Sequence, residues 1–463
     1  MTDLAPERGE KYPSAAVAWY GLTLLVFCYF MYFVDRNILS LLVAPVRHDL
    51  DINNSQMGLL QGYTVSVFNG LMAVPFGWWA DRRSRRNTLI FGVTLWASST
   101  VASGFTNTFE QLLITRMGLG IGEAALSPAA FALVSDYFPK EKRGLAVGVY
   151  GVGGFAGIGL SYLVGGAVLA AFKGMDRVTL PIVGEASLWH AAFITVGLIT
   201  LALAAIIAAT MTEPPRLGTR ENAAKTEEPF FGHLRQHWGA FWLVIGGYIC
   251  LGTVAIGWFA WLPTYFIREF KMTPAAVGLQ VGWVTTIAGV LGAVAGGYIA
   301  DRLMRIHARG GKLPTLLMMF LAWIPCAVGL LLSRSATLSL VLVFIFTFAD
   351  GVGFMQYANV MQEMFPSSMR ARSIAAWNVC NSTISYGLGP LLLGGAMDYV
   401  FTGDSAARDT LGFVSLPIIL IGAACAWFAR KPYDRARLAS DPTSAVDAAW
   451  LGAKALTNVP VTP

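Results

Sequence analysis

Five charged residues fall inside long apolar stretches: Asp35 and Arg36 in MYFVDRNILS (31–40), Arg116 and Glu123 in RMGLGIGEAALSP (116–128), and Asp350 in FIFTFADGVGF (344–354). Charges at membrane depth are costly and usually functional. A guanidinium recognises carboxylate or phosphate. A carboxylate's pKa rises on desolvation and falls beside an arginine. Arg36 or Arg116 meeting an anionic group, while Asp35, Glu123 or Asp350 takes up a proton, is therefore a physical basis for coupling cargo to a proton gradient. The alternative is a structural salt-bridge set that fixes helix register.

The elements that position these charges are membrane helices. Of the 463 residues 55% are hydrophobic and only 13% charged, with a mean hydropathy of +0.57. A soluble globule carries about 25% charged residues. Twelve spans are expected, at 16–43, 55–80, 88–106, 109–136, 143–171, 188–211, 238–267, 274–300, 314–333, 336–363, 371–399 and 409–430, numbered 1 to 12 below. The first 15 residues are polar, and a full-length span rather than a cleavable signal follows them. The five cysteines share no spacing, so a disulfide framework or metal site is not expected.

Alternate connections differ sharply in Lys and Arg. One set, with the tails, carries 24; the other carries seven (Arg47, Lys173, Arg177, Arg268, Lys271, Arg334, Arg408). The positive-inside rule puts both termini and the central linker in the cytoplasm. The expected division is an N-terminal tail 1–15, a six-helix bundle 16–211, a linker 212–237, a second six-helix bundle 238–430 and a C-terminal tail 431–463. The tail segment 447–456 is read as a short surface helix. The net charge of +6 reflects topology, and no nucleic-acid partner is expected.

Depth ties the charges together. Span 1 runs outward and Asp35 lies ~12 Å from its outer end; span 4 runs inward and Arg116 lies ~10 Å from its own. Glu123, two turns beyond Arg116, shares its face near the midplane. Neighbours on a helix point about 100° apart, so Asp35 and Arg36 are each free to meet span 4 rather than each other. The halves also repeat: DYFPKEKRG (136–144) recurs as EMFPSSMRA (363–371), an offset of 227 that maps Asp350 onto Glu123 and Val343 onto Arg116. One side of the expected cavity is thus charged. The other offers Trp258, Trp261, Phe354, Tyr357, Gln356 and Asn359.

GWWADRR (77–83) recurs as GYIADRL (297–303). Gly77, Asp81, Arg82 and Arg86, echoed at Gly297, Asp301 and Arg302, resemble the loop signature between spans 2 and 3 of the major facilitator superfamily; Ser84 and Asn87 depart from it. An acid there can face a helix N-terminus, and the bases can pair with Asp136. With Arg143 they are read as a cytoplasmic latch; the plainer reading is topology signalling. Span 5 carries glycines from Gly148 to Gly166 that resemble the superfamily's antiporter signature, with Ser161-Tyr162 where the family has Gly-Pro. Glycines at this spacing also let helices pack closely.

Together with YFVDRN, GLLQG (58–62) and WLPTYF (261–266), the R-x-G-x-G-x-G-E-A pattern at Arg116 and Glu123 resembles a bacterial Spinster-like transporter of the major facilitator superfamily. That resemblance implies an all-α polytopic fold of two pseudo-symmetric six-helix bundles, working as a monomer in the inner membrane by alternating access about a midplane site. It implies proton-coupled movement of an anionic amphiphile such as a lysophospholipid or sphingoid phosphate, with Asp35, Arg36, Arg116 and Glu123 in headgroup contact and protonation. No cofactor is implied beyond the proton gradient. Organic anion symporters of the same superfamily, which carry sugar acids, are the alternative. A non-transporting receptor is a third reading, which the intact latch argues against. An enzyme is least favoured, because no Ser-His-acid set or metal cluster stands at membrane depth. Four histidines (His48, His233, His237, His307) fall in loops, and His190 begins a helix.

Overall fold

A computed structural model describes residues 12–171, 177–180, 184–216, 230–306, 312–354, 356–366, 369, 373, 377, 379–403 and 405–440. The expected surface helix at 447–456, the first eleven residues, Lys173, His307 and most of the MRAR run (369–372) lie outside them.

Among the described residues, helices stand at each of the twelve expected positions. Nine are long and apolar enough to cross a bilayer: Ala15–Leu41, Phe109–Tyr137, Glu141–Ala171, Leu188–Thr210, Trp238–Phe270, Pro274–Leu303, Pro314–Leu332, Ala336–Glu363 and Ala406–Ser440. The others occupy spans 2, 3 and 11. Span 2 runs as Asn54–Gly58, a π-turn Leu59–Tyr63 and Thr64–Arg82. Span 3 is Arg85–Ser103, and span 11 ends in a π-turn Asn381–Ser385 followed by Tyr386–Tyr399.

Spans 1 to 6 pack mainly on one another, as do spans 7 to 12. The halves meet through spans 5 and 8, 2 and 11, and 1 and 7. Glycine governs the first two seams. A Cβ at Gly159 would collide with the backbone nitrogen of Thr286, and one at Gly166 would lie 3.0 Å from the Cα of Gly278. Close helix approach needs side chains this small. The span 5 glycines with described contacts thus serve packing, Gly157 against Phe33 of span 1 and Gly165 against Leu41. Toward the basic loops the seam parts: a Cβ at Gly144, Gly148, Gly151 or Gly297 would meet nothing within 4 Å. Spans 5 and 8 therefore touch at the end away from the basic loops, called here the far end, and diverge toward the basic end.

Three local features depart from expectation. Span 4 is broken: its helix stops at Glu123, turns through Ala124 and Ala125, and resumes at Leu126. Pro128 has no N–H to give the Ala124 carbonyl, which accounts for the interruption. The connection before span 6 carries an antiparallel ribbon, β1 (Arg177–Leu180) and β2 (Gly184–Ser187), with Arg177 opposite Ser187. The last helix passes its expected end at 430 and reaches Ser440. Tyr433 is buried there and donates its hydroxyl to Glu363, while Ser440 Oγ donates to the Glu363 carbonyl at 2.7 Å.

Candidate functional site

Asp35 and Arg36 are adjacent in sequence but belong to two different surroundings. Span 1 is helical here, so the two side chains diverge. Arg36 faces the seam between the halves. Its Nη1 donates to Tyr32 Oη at 2.6 Å and its Nη2 to Ser66 Oγ at 2.7 Å. The guanidinium carbon stands 4.8 Å from the Tyr386 ring centroid. Arg36 Nη1 lies 3.6 Å from Glu123 Oε2, an ion contact longer than a hydrogen bond, and neither Glu123 oxygen has a hydrogen-bond donor among the described residues. Glu123 terminates the first segment of span 4, so its carboxylate sits at the break.

Asp35 turns the other way, into the first half. Its Oδ2 accepts from Trp96 Nε1 at 3.1 Å and Thr200 Oγ1 at 2.9 Å, from spans 3 and 6. Arg116 is the cation whose field reaches it. Arg116 is itself only 1% exposed, donates to Ser103 Oγ at 3.1 Å and lies 4.7 Å from the Phe193 ring centroid. Arg36 thus makes an ion contact with Glu123, while Asp35 and Arg116, both buried and of opposite charge, form no ion pair within 4 Å among the described residues. Arg36 reaches the seam, whereas Asp35 and Arg116 are packed behind it against spans 3 and 6.

A pocket opens beside Arg36. It is lined by Phe33, Asn37, Ser40, Gln61 and Ile158 of the first half and by Ile256, Phe259, Ala260, Tyr386 and Pro390 of the second. Its polar groups other than Tyr386 come from the first half, and the second half supplies a mainly apolar wall. Asn37 Nδ2 donates to Ser161 Oγ at 3.1 Å, and Ser40 Oγ to the Asn37 carbonyl at 2.8 Å. Tyr386 reaches across the seam, with its ring against the Arg36 guanidinium. Asp350 is buried on span 10, and its Oδ1 has no hydrogen-bond partner among the described residues.

Two of the second-half aromatics expected at the cavity, Trp258 and Trp261, are packed inside the second half. Trp258 stacks on Phe346, centroids 4.0 Å apart, and Phe346 stacks on Trp323 at 4.3 Å. Its Nε1 donates to Ser415 Oγ at 2.8 Å, which commits the indole to the interior of the second half. Trp261 is likewise fully buried and donates to the Pro390 carbonyl at 2.9 Å. Tyr357 stacks on Trp377 at 3.7 Å, with Phe354 beside both. Asn359 donates to Gln356 Oε1 at 3.0 Å.

The expected latch residues are engaged within the first half and the linker. Arg85, rather than Arg82 or Arg86, pairs with Asp136 and also donates to the Ala132 carbonyl at 3.0 Å. Arg82 lies over the Trp78 ring at 4.2 Å, and Arg86 donates to the Ala208 carbonyl. Arg143 donates to the Ser135 carbonyl at 2.8 Å. Gly77 gives room to Pro128, 4.0 Å from where its Cβ would stand. Asp81 is exposed, and its backbone carbonyl accepts from Arg216 at 2.8 Å. The carboxylate that does cap a helix here is Glu213, which accepts from Ser84 Oγ at 2.7 Å and from the Arg85 and Arg86 amides at 2.8 Å, at the start of span 3. In the repeat, Asp301 lies 4.0 Å from Lys312 and Arg302 donates to Tyr298 at 3.4 Å.

At the far end stands a contact that sequence reasoning missed. Asp398, at the end of span 11, accepts from the Asn54 amide (3.0 Å), Asn54 Nδ2 (2.6 Å), the Ser55 amide (2.6 Å) and Ser55 Oγ (2.7 Å). A carboxylate on free amides at a helix start satisfies both hydrogen bonding and the dipole. Arg268 Nη2 adds a bond to Asn54 Oδ1 at 3.3 Å. A lone acid at the end of a span reads in sequence as a loop residue, so nothing singled out Asp398.

The comparisons agree with this architecture. The model of the Major Facilitator Superfamily matches residues 25–390. An MFS-type efflux pump of Mycolicibacterium smegmatis is 26% identical over 94% of this chain and 96% of its own length. Protein spinster of Drosophila melanogaster is 28% identical over 68% of this chain, which spans about half (49%) of that larger protein. A crystal structure of a bacterial homolog to the human lysosomal transporter Spinster, inward-facing and unoccupied, superposes with a TM-score of 0.73 at 22% identity, covering 92% of this chain and 98% of the other. The chain is a multi-pass membrane transporter of the major facilitator superfamily, to which it belongs by the match of most of its length.

Proposed function

We propose that the chain is a proton-coupled secondary transporter of an anionic amphiphile, with Arg36 as the anion-binding group and Glu123 as the proton-accepting one. The observation that carries the reading is the shared use of one guanidinium. Arg36 neutralises Glu123 from 3.6 Å without a hydrogen bond and at the same time lines the pocket between the halves. When the anionic head of a cargo draws the guanidinium into the pocket, Glu123 loses its counter-charge inside an apolar bundle. A proton from solution then restores neutrality, because an uncompensated buried carboxylate is costly. Cargo and proton thereby recruit each other.

The apolar wall of Ile256, Phe259, Ala260 and Pro390, opposite Arg36, supports a cargo with a hydrophobic body. Relatives whose names state a cargo, among them a probable L-galactonate transporter of Escherichia coli and a hexuronate transporter of Bacillus subtilis, favour an organic acid instead. Asn37 and Ser40 on the polar wall support the second reading, a hydroxylated carboxylate of the sugar-acid kind. With the basic loops on the cytoplasmic side, as the positive-inside rule has it, the observed state is closed outward and parted inward.

Uptake into proteoliposomes tests the reading, with lysophospholipids and sugar acids offered in parallel with and without a pH gradient. Gradient-driven movement of the lysophospholipids alone is the expected result. Movement of the sugar acids alone selects the second reading, and no flux of either under any gradient removes both.

A further inference from the structure

We infer that Gln61 is a specificity-determining residue, which reads a hydroxyl or amide group placed beside the anionic head of the cargo. The inference rests on the anion-binding role proposed for Arg36, and it adds what else the cargo must carry.

Gln61 lines the pocket together with Arg36 and is 6% exposed. Among the described residues, neither its Oε1 nor its Nε2 has a hydrogen-bond partner. The other polar side chains on this wall are engaged: Asn37 with Ser161, Ser40 with the Asn37 carbonyl, and Arg36 with Tyr32 and Ser66. Gln61 alone on the wall keeps its whole capacity, two N–H donors and a carbonyl acceptor. Buried amides are normally satisfied, so one that is free on both atoms and borders a cavity is built to be completed by what enters.

The backbone holds this amide in place. Gln61 sits in the π-turn Leu59–Tyr63, a feature frequent at functional sites. On either side of it, a Cβ at Gly58 would stand 2.5 Å from the Pro390 carbonyl oxygen and one at Gly62 would stand 2.6 Å from that of Tyr386. Span 2 is thus pressed against span 11 on both sides of Gln61, and the extra residue of the π-turn sets the direction of its side chain. A group that both gives and takes a hydrogen bond matches the amide. A plain alkyl chain leaves both of its atoms unpaired, and sites built for hydrogen bonding discriminate strongly against such analogues.

Two probe pairs test this on the full-length protein in nanodiscs. One pair is oleoyl lysophosphatidate, with a hydroxyl next to its phosphate, and its deoxy analogue. The other is gluconate and hexanoate. Binding is read as Kd for wild type and for Gln61→Leu, with Gln61→Met standing in should the first variant fail to fold. Wild type is expected to favour the hydroxylated member at least tenfold in the pair it binds. Gln61→Leu is expected to lose that preference while its affinity for the deoxy member stays within about twofold. An unchanged preference in the variant, no preference in wild type, or no binding of either pair overturns the inference. Binding confined to the gluconate pair overturns the amphiphile reading and leaves the Gln61 comparison fully readable.

Discussion

The Arg36 guanidinium stands 3.6 Å from the Glu123 carboxylate, Nη1 to Oε2, yet gives its hydrogen bonds to Tyr32 through Nη1 and Ser66 through Nη2. The ion contact is thus one that a competing anion can replace without stripping the guanidinium of its donors' partners. Asp35, one residue away, has no such freedom. Trp96 and Thr200 hold one of its oxygens, and Arg116 lies behind the seam with it. Under the proposed function the two deep acids of the first half accordingly do different work, Glu123 in coupling and Asp35 in architecture.

Asp35 and Arg116 are buried behind the seam and balance each other's charge, so removing one should destabilise the protein by about 3–5 kcal/mol, because the survivor is an uncompensated buried charge. Arg116→Leu should therefore lower the unfolding midpoint sharply. Combining it with Asp35→Asn should restore much of the loss. Additive losses in the double variant, measured by thermal unfolding in detergent, would speak against that balance.

Asp398 should weight the conformational balance. Its hydrogen bonds to Asn54 and Ser55 bridge the halves at the far end. Bonds to a charged group are worth about 1.5–3 kcal/mol. Asp398→Ala should shift the population toward the state parted at that end by roughly thirtyfold, as about 2 kcal/mol implies. Spin-label distances between the far ends of spans 2 and 11 should lengthen. An unchanged distance distribution would show that the cap does not govern closure.

Asp81 is exposed, and the latch reading requires it to be engaged when the basic end closes. Asp81→Lys should leave stability within about 0.5 kcal/mol, as surface changes usually do, and still slow transport several-fold. Normal transport by a well-inserted variant would reduce the loop to topology signalling.

Much of this was legible in the sequence, and the reasons are physical. Spans are readable because a bilayer demands about 20 apolar residues. The 100° step between neighbours on a helix was enough to separate Asp35 from Arg36. Depth arithmetic placed Arg116 and Glu123 near them, and the structure brings Arg36 into ion contact with Glu123. What it did not provide was azimuth. Whether a buried tryptophan faces a cavity or its own bundle depends on helix rotation, and Trp258 turns into a stack with Phe346 and Trp323. Composition likewise carries no sign of a π-turn, so Gln61 passed as one letter of a family motif. Tyr386, uncharged, and Asp398, terminal, gave no depth anomaly to notice. Choosing among Arg82, Arg85 and Arg86 as the partner of Asp136 needed the turn geometry, which favours Arg85.

The most direct test compares wild type, Glu123→Gln and Asp35→Asn in proteoliposomes, measuring cargo accumulation driven by a pH gradient beside exchange without one. Glu123→Gln should lose the response to the gradient and keep exchange, while Asp35→Asn, if folded, should keep both. Gradient-driven accumulation by Glu123→Gln at the wild-type level would contradict the account.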